Sequence, residues 1–448
     1  MLVAGSDLPT SASLSLRIAA AEQDPIQRQA IAAFNRGDYA RMIGLLDRLP
    51  AKQRSPALLR MGVLSHIRLG RPDAALVLYL QLIPEGRPDD RSVLLELAHG
   101  FIRTHVRDPQ EYLRAAAYTA LTEAATADSI PLLEDGLLDA SVLVRAQAIV
   151  ALARVAKTGR ATAGVQDRVE STLRRSLRDA APSVQIAALT ALGDLGDTTA
   201  VPQLKQIVRT QEGPIVIFAS AALVKLGDTD ALSEITSAAT LPDPESRMAA
   251  FAVLGSLKRR EALSLLAQSV YDPDPSVRAF GAGALGEFGR PEVAASLTHA
   301  LTDESPRVRS IAAASLGKLR LPYTKTLLWQ AARDAVEIVR VGAVEGLLRL
   351  GETEAILVAA DLAKHADPGV RSATAEALGH GGNRKALRVL ESLLHDQQPQ
   401  PRLMAARAYG KIGGDQVLPL LKKALQDSEP AVHIAAAGSL VQVLSSKR

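Results

Sequence analysis

Residues 272–289 read DPDPSVRAFGAGALGEFG, and three of their glycines pose a choice of folds. Gly281, Gly283 and Gly286 fit the G-x-G-x-x-G pattern of a dinucleotide-binding loop, which works only where a strand ends in a tight turn and a helix begins at the pyrophosphate. No strand pattern precedes them, and the stretch recurs. DESPRVRSIAAASLG from Asp303, DAVEIVRVGAVEGLL from Asp334 and ADPGVRSATAEALG ending at Gly379 repeat it with a period of 31 residues. A fixed period of this length marks stacked repeats, and the apparent cofactor loop is a product of the repetition.

With Arg278 as anchor, the equivalent positions are Arg247, Arg309, Arg340, Arg371, Arg402 and His433, and in the other direction Val216 and Gln185. Seven residues after each anchor stands a leucine, or Tyr409 in one unit. Two further units, anchored at Arg114 and Arg145, keep the spacing between themselves but stand 40 residues before Gln185, which places an insertion at KTGRATAGVQD from Lys157. Proline lies three residues before most anchors. Pro214 comes one residue late relative to Val216 and predicts a locally shifted helix start.

Each unit divides into two helices. The second opens with proline at its first position, behind residues such as Asp274, Ser305 or Asp367 that can cap free N–H groups. Apolar or small residues at offsets −1, +2, +3, +6, +7 and +10 from the anchor form one broad stripe for burial. The first helix is a run such as PEVAASLTHALTD or KALRVLESLLHD. Two helices of roughly 11 to 13 residues fill the period, and nothing alternates as a strand does. Gly281 takes a slot filled elsewhere by Ala250, Ala312, Ala343 and Ala405, where small size lets helices approach, and Gly286 matches Gly193, Gly255, Gly317, Gly379 and Gly410.

On these residues, the Asp-x5-Arg pairs Asp272/Arg278 and Asp303/Arg309 and the A-x-x-A-L-G run, residues 108–448 resemble the HEAT repeat family, in particular the short HEAT-like repeats of phycobilisome lyases. The resemblance implies an all-α solenoid, eleven helical hairpins forming a curved arc on the order of 100 Å long. It says little about activity, because such folds serve as scaffolds, chromophore lyases and a few enzymes. Residues 25–107 follow a different period. RGDYARMIGLLDRLP around Gly37 and LGRPDAALVLYLQLIP around Gly70, with a trailing helix DDRSVLLELAHGFIRTH, resemble tetratricopeptide repeats. Residues 1–24 are expected to be disordered or a short leading segment.

Composition narrows the function. Hydrophobic residues make up 47% of the 448 positions but aromatics only 3%, so helices must pack closely through small and branched side chains. With no cysteine there are no disulfides, thiolate nucleophiles or cysteine-bound metals. The net charge of +4 is a weak field, and no segment is a basic arm: residues 1–108 hold 14 basic against 11 acidic side chains. That balance, with scarce aromatics, argues against nucleic acid as a partner. Trp329, in TKTLLWQAARD, reads as packing. The start, MLVAGSDLPTSASLSL, lacks a basic region followed by an apolar run, and no stretch is long enough to span a membrane. The location expected is cytoplasmic, or periplasmic if an export signal has been removed. HExxH, G-x-S-x-G and G-x4-G-K-[ST] are all absent from the sequence, GHGGNRK from Gly379 reads as a turn between helices, and no cofactor is expected.

Two sets of charged residues remain. Asp108, Arg114, Asp139, Arg145, Asp272, Arg278, Asp303, Arg309, Asp334, Arg340, Arg371, Asp396 and Arg402 recur in nearly every unit and are expected to form a structural ladder of hydrogen bonds between turns. The outward offsets +5 and +9 of the second helices, expected to line the concave side, are small or mixed in mid-array (Ala252, Ser256, Gly283, Glu287) and charged later: Lys318, Glu345, Arg349, Glu376, His380, Arg407 and Lys411. These seven are the candidate surface for a protein or peptide, acidic or of mixed charge. The function expected is a non-catalytic scaffold. A tetrapyrrole (bilin) lyase-like or chaperone protein is the alternative, and a nucleic-acid-binding solenoid a further one. The last unit ends in SSKR without an obvious polar capping helix; whether it leaves an apolar face that pairs with another chain, and the oligomeric state, the sequence leaves open.

Overall fold

The computed structural model describes residues 24–157 and 163–445; the expectation for the leading segment therefore falls, apart from Asp24, outside the described residues. All regular structure among the described residues is helical, and the chain divides into two compact units, residues 1–104 and 105–448.

The first unit contains α1 (Pro25–Asn35), α2 (Tyr39–Asp47), α3 (Pro56–Arg68), α4 (Pro72–Leu82) and most of α5 (Arg91–His105). Its first two hairpins turn at Gly37 and Gly70, whose positive φ of 77° and 68° suits glycine. Leu46, Leu58, Leu94 and Phe101 fill its core, and the buried Tyr79 hydroxyl donates to Asp89 at 2.9 Å.

In the second unit, eleven helices form an inner layer: α6 (Glu111–Ala124), α8 (Val142–Lys157), α10 (Pro182–Leu195), α12 (Pro214–Lys225), α14 (Pro244–Leu257), α16 (Pro275–Phe288), α18 (Pro306–Leu319), α20 (Glu337–Arg349), α22 (Pro368–Gly381), α24 (Pro399–Ile412) and α26 (Pro430–Ser445). Between them run the outer helices α7 (Ile130–Gly136), α9 (Ala163–Ser176), α11 (Val201–Thr210), α13 (Leu232–Ala238), α15 (Leu263–Gln268), α17 (Ala294–Ala300), α19 (Lys325–Ala331), α21 (Ala355–Leu362), α23 (Leu387–Leu394) and α25 (Leu418–Ala424). Of the expected caps Asp274 and Asp367 accept backbone N–H groups at their helix starts, whereas the Ser305 side chain does not. Asp274 accepts from the N–H groups of Ser276 and Val277 ahead of Pro275, and Gly289 ends the helix with φ of 73°. Lys258 and Arg320 take that left-handed position in neighbouring units despite their side chains. The shifted start at Pro214 is present, behind Gly213 with φ of 76°.

The two helices of a unit are not of equal length, as the sequence had suggested. Most outer helices are short because the chain enters them through a single 3-10 turn, such as Pro291–Val293, which uses up the start of the run. Of the stretch taken as an insertion, Lys157 ends α8, residues 158–162 fall outside the described residues, and Gly164 to Asp167 lie in α9, which is twice the length of α7.

Two repeated devices join the inner helices. One is steric. A Cβ at Gly193, Gly255, Gly317 or Gly379 would fall within 3 Å of the backbone at Ala222, Ala284, Gly346 or Ala408 on the next inner helix, always in the same register, so neighbours run in the same sense at close range. The other is polar. The Arg278 guanidinium donates through Nε and Nη2 to both oxygens of Asp303, at 2.7 and 3.0 Å, and through Nη1 to the Asp272 carbonyl at 2.9 Å. Asp303 also accepts from the Ser305 N–H at 2.8 Å, capping the next inner helix. The same clamp joins Arg114 to Asp139, Arg145 to Asp179, Arg247 to Asp272, Arg309 to Asp334, Arg371 to Asp396 and Arg402 to Asp427. Two ladder residues differ. The Asp108 carbonyl accepts from Arg114, but its carboxylate accepts from the Gln110 N–H and from no arginine, while Arg340 finds His365 in the aspartate slot and bonds to Glu337. Arg145 and Arg309 hold the Asp179 and Asp334 carboxyls below the usual range by hydrogen bonding. At Asp303 and Asp396 burial pulls the other way and the arginines prevail.

The array does not end as an open arc. α26 packs against α6 as each inner helix packs against the next, so the eleven helices close into a ring. Gly438 makes this possible, since a Cβ there would lie 2.8 Å from the Ala120 Cβ and 3.0 Å from its Cα. The face of the last repeat, left open by the sequence, is covered by this chain's own first repeat. Eleven helices spaced about 8 to 10 Å apart trace a contour of about 100 Å, as expected, but bent into a circle about 30 Å across. Subtracting a helix width of about 10 Å leaves a lumen of about 20 Å.

Arg278→Ala should lower stability by about 3 to 5 kcal/mol, because it strands a buried carboxylate. Arg168→Ala breaks a pair with Glu134 whose arginine is 63% exposed, and should cost far less. Equal urea midpoints for the two variants would contradict this. The clamp's contribution is complete above the ordinary aspartate pKa of about 3.9 and is lost as pH falls through the depressed folded values. Gly438→Val should part α26 from α6 and raise the radius of gyration in X-ray scattering. Gly283→Ala should leave it unchanged, since its Cβ would meet only Ile311 at 3.7 Å.

Candidate functional site: the lumenal wall

The ring turns one face of every inner helix toward its lumen. Counted from the anchor, residues at offsets −2, +2, +5 and +9 lie on it, as exposure along α18 shows: Arg307 and Lys318 are exposed, Ile311 and Ala314 half-buried. Offset +2, assigned to the buried stripe from periodicity, is instead lumenal. Phe280 is 45% exposed there. Periodicity groups residues on a face but does not say whether that face is covered.

The wall has two unlike arcs. Across α14, α16 and α18 it is apolar and small, and a cavity of about 330 Å³ is lined by Ala252, Phe280, Gly283 and Ile311, with Glu287 and Arg307 at its margin. Across α20, α22 and α24 it carries six of the seven predicted charged residues, with Lys318 just before them on α18. Glu345 sits at the centre of this arc. Arg349, one turn on, donates to its Oε1 at 3.0 Å, and His380 on the next inner helix lies 3.3 Å from its Oε2 through Nδ1. Lys411 Nζ donates to His380 Nε2 at 2.8 Å. With Lys411 as donor, Nε2 is the acceptor, and the hydrogen on Nδ1 is the one directed at Glu345. Burial pushes the Glu345 carboxyl up, but the His380 bond and the Arg349 charge outweigh it and hold the group below its ordinary range. Burial likewise lowers the Lys411 ammonium, with Glu376 opposing and Arg407 reinforcing.

Arg407 faces away from this relay. It donates through Nε at 2.9 Å and Nη2 at 2.5 Å to Glu123 on α6, bridging the point where the ring closes. Glu123 holds the +9 slot of the first unit, and its place in the wall could have been found by extending that slot to every repeat; its pairing with Arg407 could not, since 284 residues separate them. Lys318 and Glu376 are exposed and form no ion pair among the described residues. Of the seven, therefore, four are tied laterally within the wall, one holds the ring shut, and two are free to meet a partner. No helix among the described residues is long and apolar enough to cross a membrane.

Reversing the closing pair separates the sign of the charges from their presence. Glu123→Arg or Arg407→Glu alone should lower the thermal midpoint, and the double reversal should recover most of the loss. Additive losses in the double variant would show that the bridge does not couple the two helices.

Residues 156–225, 265–347, 324–408 and 390–447 match the family described as HEAT repeats. The chain is 28% identical over 186 residues to cellulose synthase operon protein C of Xanthomonas axonopodis pv. citri (strain 306), a match that covers 39% of this chain and 12% of that protein's length. Similar solved structures include human deoxyhypusine hydroxylase in complex with glycerol (20% identity, 58% of this chain and 98% of that one, TM-score 0.31) and an engineered protein (17% identity, 78% and 99%, TM-score 0.27). With helical hairpins that recur every 31 residues and the family match spread over more than half its length, the chain belongs to the HEAT repeat family.

Proposed function

We propose that the protein is a non-catalytic adaptor that holds a polypeptide segment of a partner protein against its lumenal wall. The observation that carries this reading is the apolar arc. Phe280 is 45% exposed beside the cavity it shares with Ile311 and Gly283, and at lumenal offsets on α8 Leu143 and Val150 are 51% and 50% exposed, so the wall offers apolar side chains to a segment threaded through it. A lumen of about 20 Å admits one helix with its side chains, about 10 to 12 Å wide. Lys318 and Arg307 on α18 offer unpaired cations beside the apolar surface, which suits a segment carrying carboxylates. Glu245, Glu287 and Glu376 on the same wall would repel a phosphate backbone, which disfavours nucleic acid. The family is generally one of interaction rather than catalysis, and no observation favours a tetrapyrrole.

Charge reversal at Arg349, Arg407 and Lys411 would be a confounded test, because all three hold the wall together. A cleaner one is Phe280→Glu with Ile311→Glu, set against Leu357→Glu, which lies 72% exposed on the outer helix α21. In affinity capture from native extract, the partner retained by the unaltered protein should be lost with the lumenal variant and kept with the outer one. Loss with Leu357→Glu and retention with the lumenal pair would overturn the proposal.

A further inference from the structure

The joints of the ring are not tied alike. Seven carry the Arg–Asp clamp. At α20/α22, where His365 replaces the aspartate, the Glu345–His380 contact crosses instead. At α10/α12, where Gln185 and Thr210 replace the pair, Lys225 reaches Asp194 at 2.6 Å. The joint α12/α14 has neither. Its clamp positions are Val216 and Leu241, the residue opposite Lys225 is Ser256, and among the described residues no hydrogen bond or ion pair spans the two helices. Among the described residues the buried Ser220 hydroxyl on α12 has no hydrogen-bond partner, and Ile215, Ile217 and Ala219 are buried along the same helix, where apolar contacts have no preferred direction.

The seam between α26 and α6 is special in a different way, since no outer helix connects the two. Its contacts include Gly438 on Ala120, and a cavity of about 200 Å³ beside them is lined by Tyr112, Ala116, Arg407, Ala431 and Ala435. Atoms facing a void make fewer dispersion contacts. The polar ties around it include the Arg407–Glu123 bridge, which reaches α6 from α24.

We infer that the ring is a clasp, with its latch at the α26/α6 seam and its hinge at the α12/α14 joint. In a closed array, parting one joint requires rotation at others, and rotation concentrates where no directional bond resists it. The two arms are then α6 to α12 and α14 to α26, each stiffened by its clamps and bridges. Opening would admit a chain sideways into the lumen, but the clasp does not depend on what the lumen holds.

The absence of cysteine allows a direct test, because two introduced thiols are the only sites for spin labels. Gln110→Cys with Ser428→Cys spans the seam at exposed positions, and Gln397→Cys with Ser428→Cys spans the clamped α24/α26 joint as control. Pulsed electron paramagnetic resonance should show a second, longer distance for the seam pair and a single distance for the control. Building the missing clamp with Val216→Arg and Leu241→Asp should reduce the longer population about tenfold, as expected for a charge-assisted bond, although it lies far from the seam. Should circular dichroism show that variant unfolded, Ser256→Asp, an exposed position opposite Lys225, carries the same test. A single seam distance matching the control overturns the latch, and an open population indifferent to the folded hinge variant overturns the hinge.

Discussion

The bond between one arginine and the aspartate of the next repeat organises this protein. A guanidinium is planar, permanently charged and rich in donors, so one side chain can satisfy a carboxylate in two places and a carbonyl in a third. Arg278 does this between the Asp303 carboxylate and the Asp272 carbonyl, and Asp303 uses its remaining capacity to cap the helix that follows. Turn, helix start and neighbouring repeat are thus set by one group. Since the same group recurs at nearly constant height on successive helices, a small rotation per repeat accumulates steadily, and accumulated rotation is what curves the array.

Curvature alone does not close a ring. Closure needs the last helix to meet the first with compatible surfaces, and here it depends on small residues. Gly438 against Ala120 lets the two backbones approach as Gly317 and Gly346 do within the array, and Arg407 supplies a charge that Glu123 accepts. A scarcity of aromatics fits this design. Large rings between inner helices would force them apart, whereas alanine, glycine and leucine allow close and uniform spacing.

Closure also changes the meaning of surface charge. On an open arc, a row of Arg349, His380 and Lys411 would face solvent and await a partner. In the ring Arg349 and His380 bond to Glu345 and Lys411 donates to His380, leaving recognition to what these bonds do not engage: the apolar surface at Phe280 and Ile311 and the cations Arg307 and Lys318. The closed wall therefore presents a smaller, more apolar surface than its charge content suggests.

Much was legible in the sequence because it depends on near neighbours. The period, the proline at each helix start, the glycine where helices cross and the Arg–Asp ladder each involve residues within one repeat or its neighbour, and repetition shows them many times over. The family and the all-helical fold follow from these alone. Other features depended on summed geometry. Whether eleven small rotations add up to a full turn cannot be read from any one of them, and no periodicity links Glu123 to Arg407 or Gly438 to Ala120. For the same reason the lumenal place of Phe280 was hidden: an apolar residue on a helix face reads as buried until the fold determines whether anything lies opposite. Local chemistry determined the repeat, and the sum of its rotations, known only in three dimensions, decided that the repeats enclose a space.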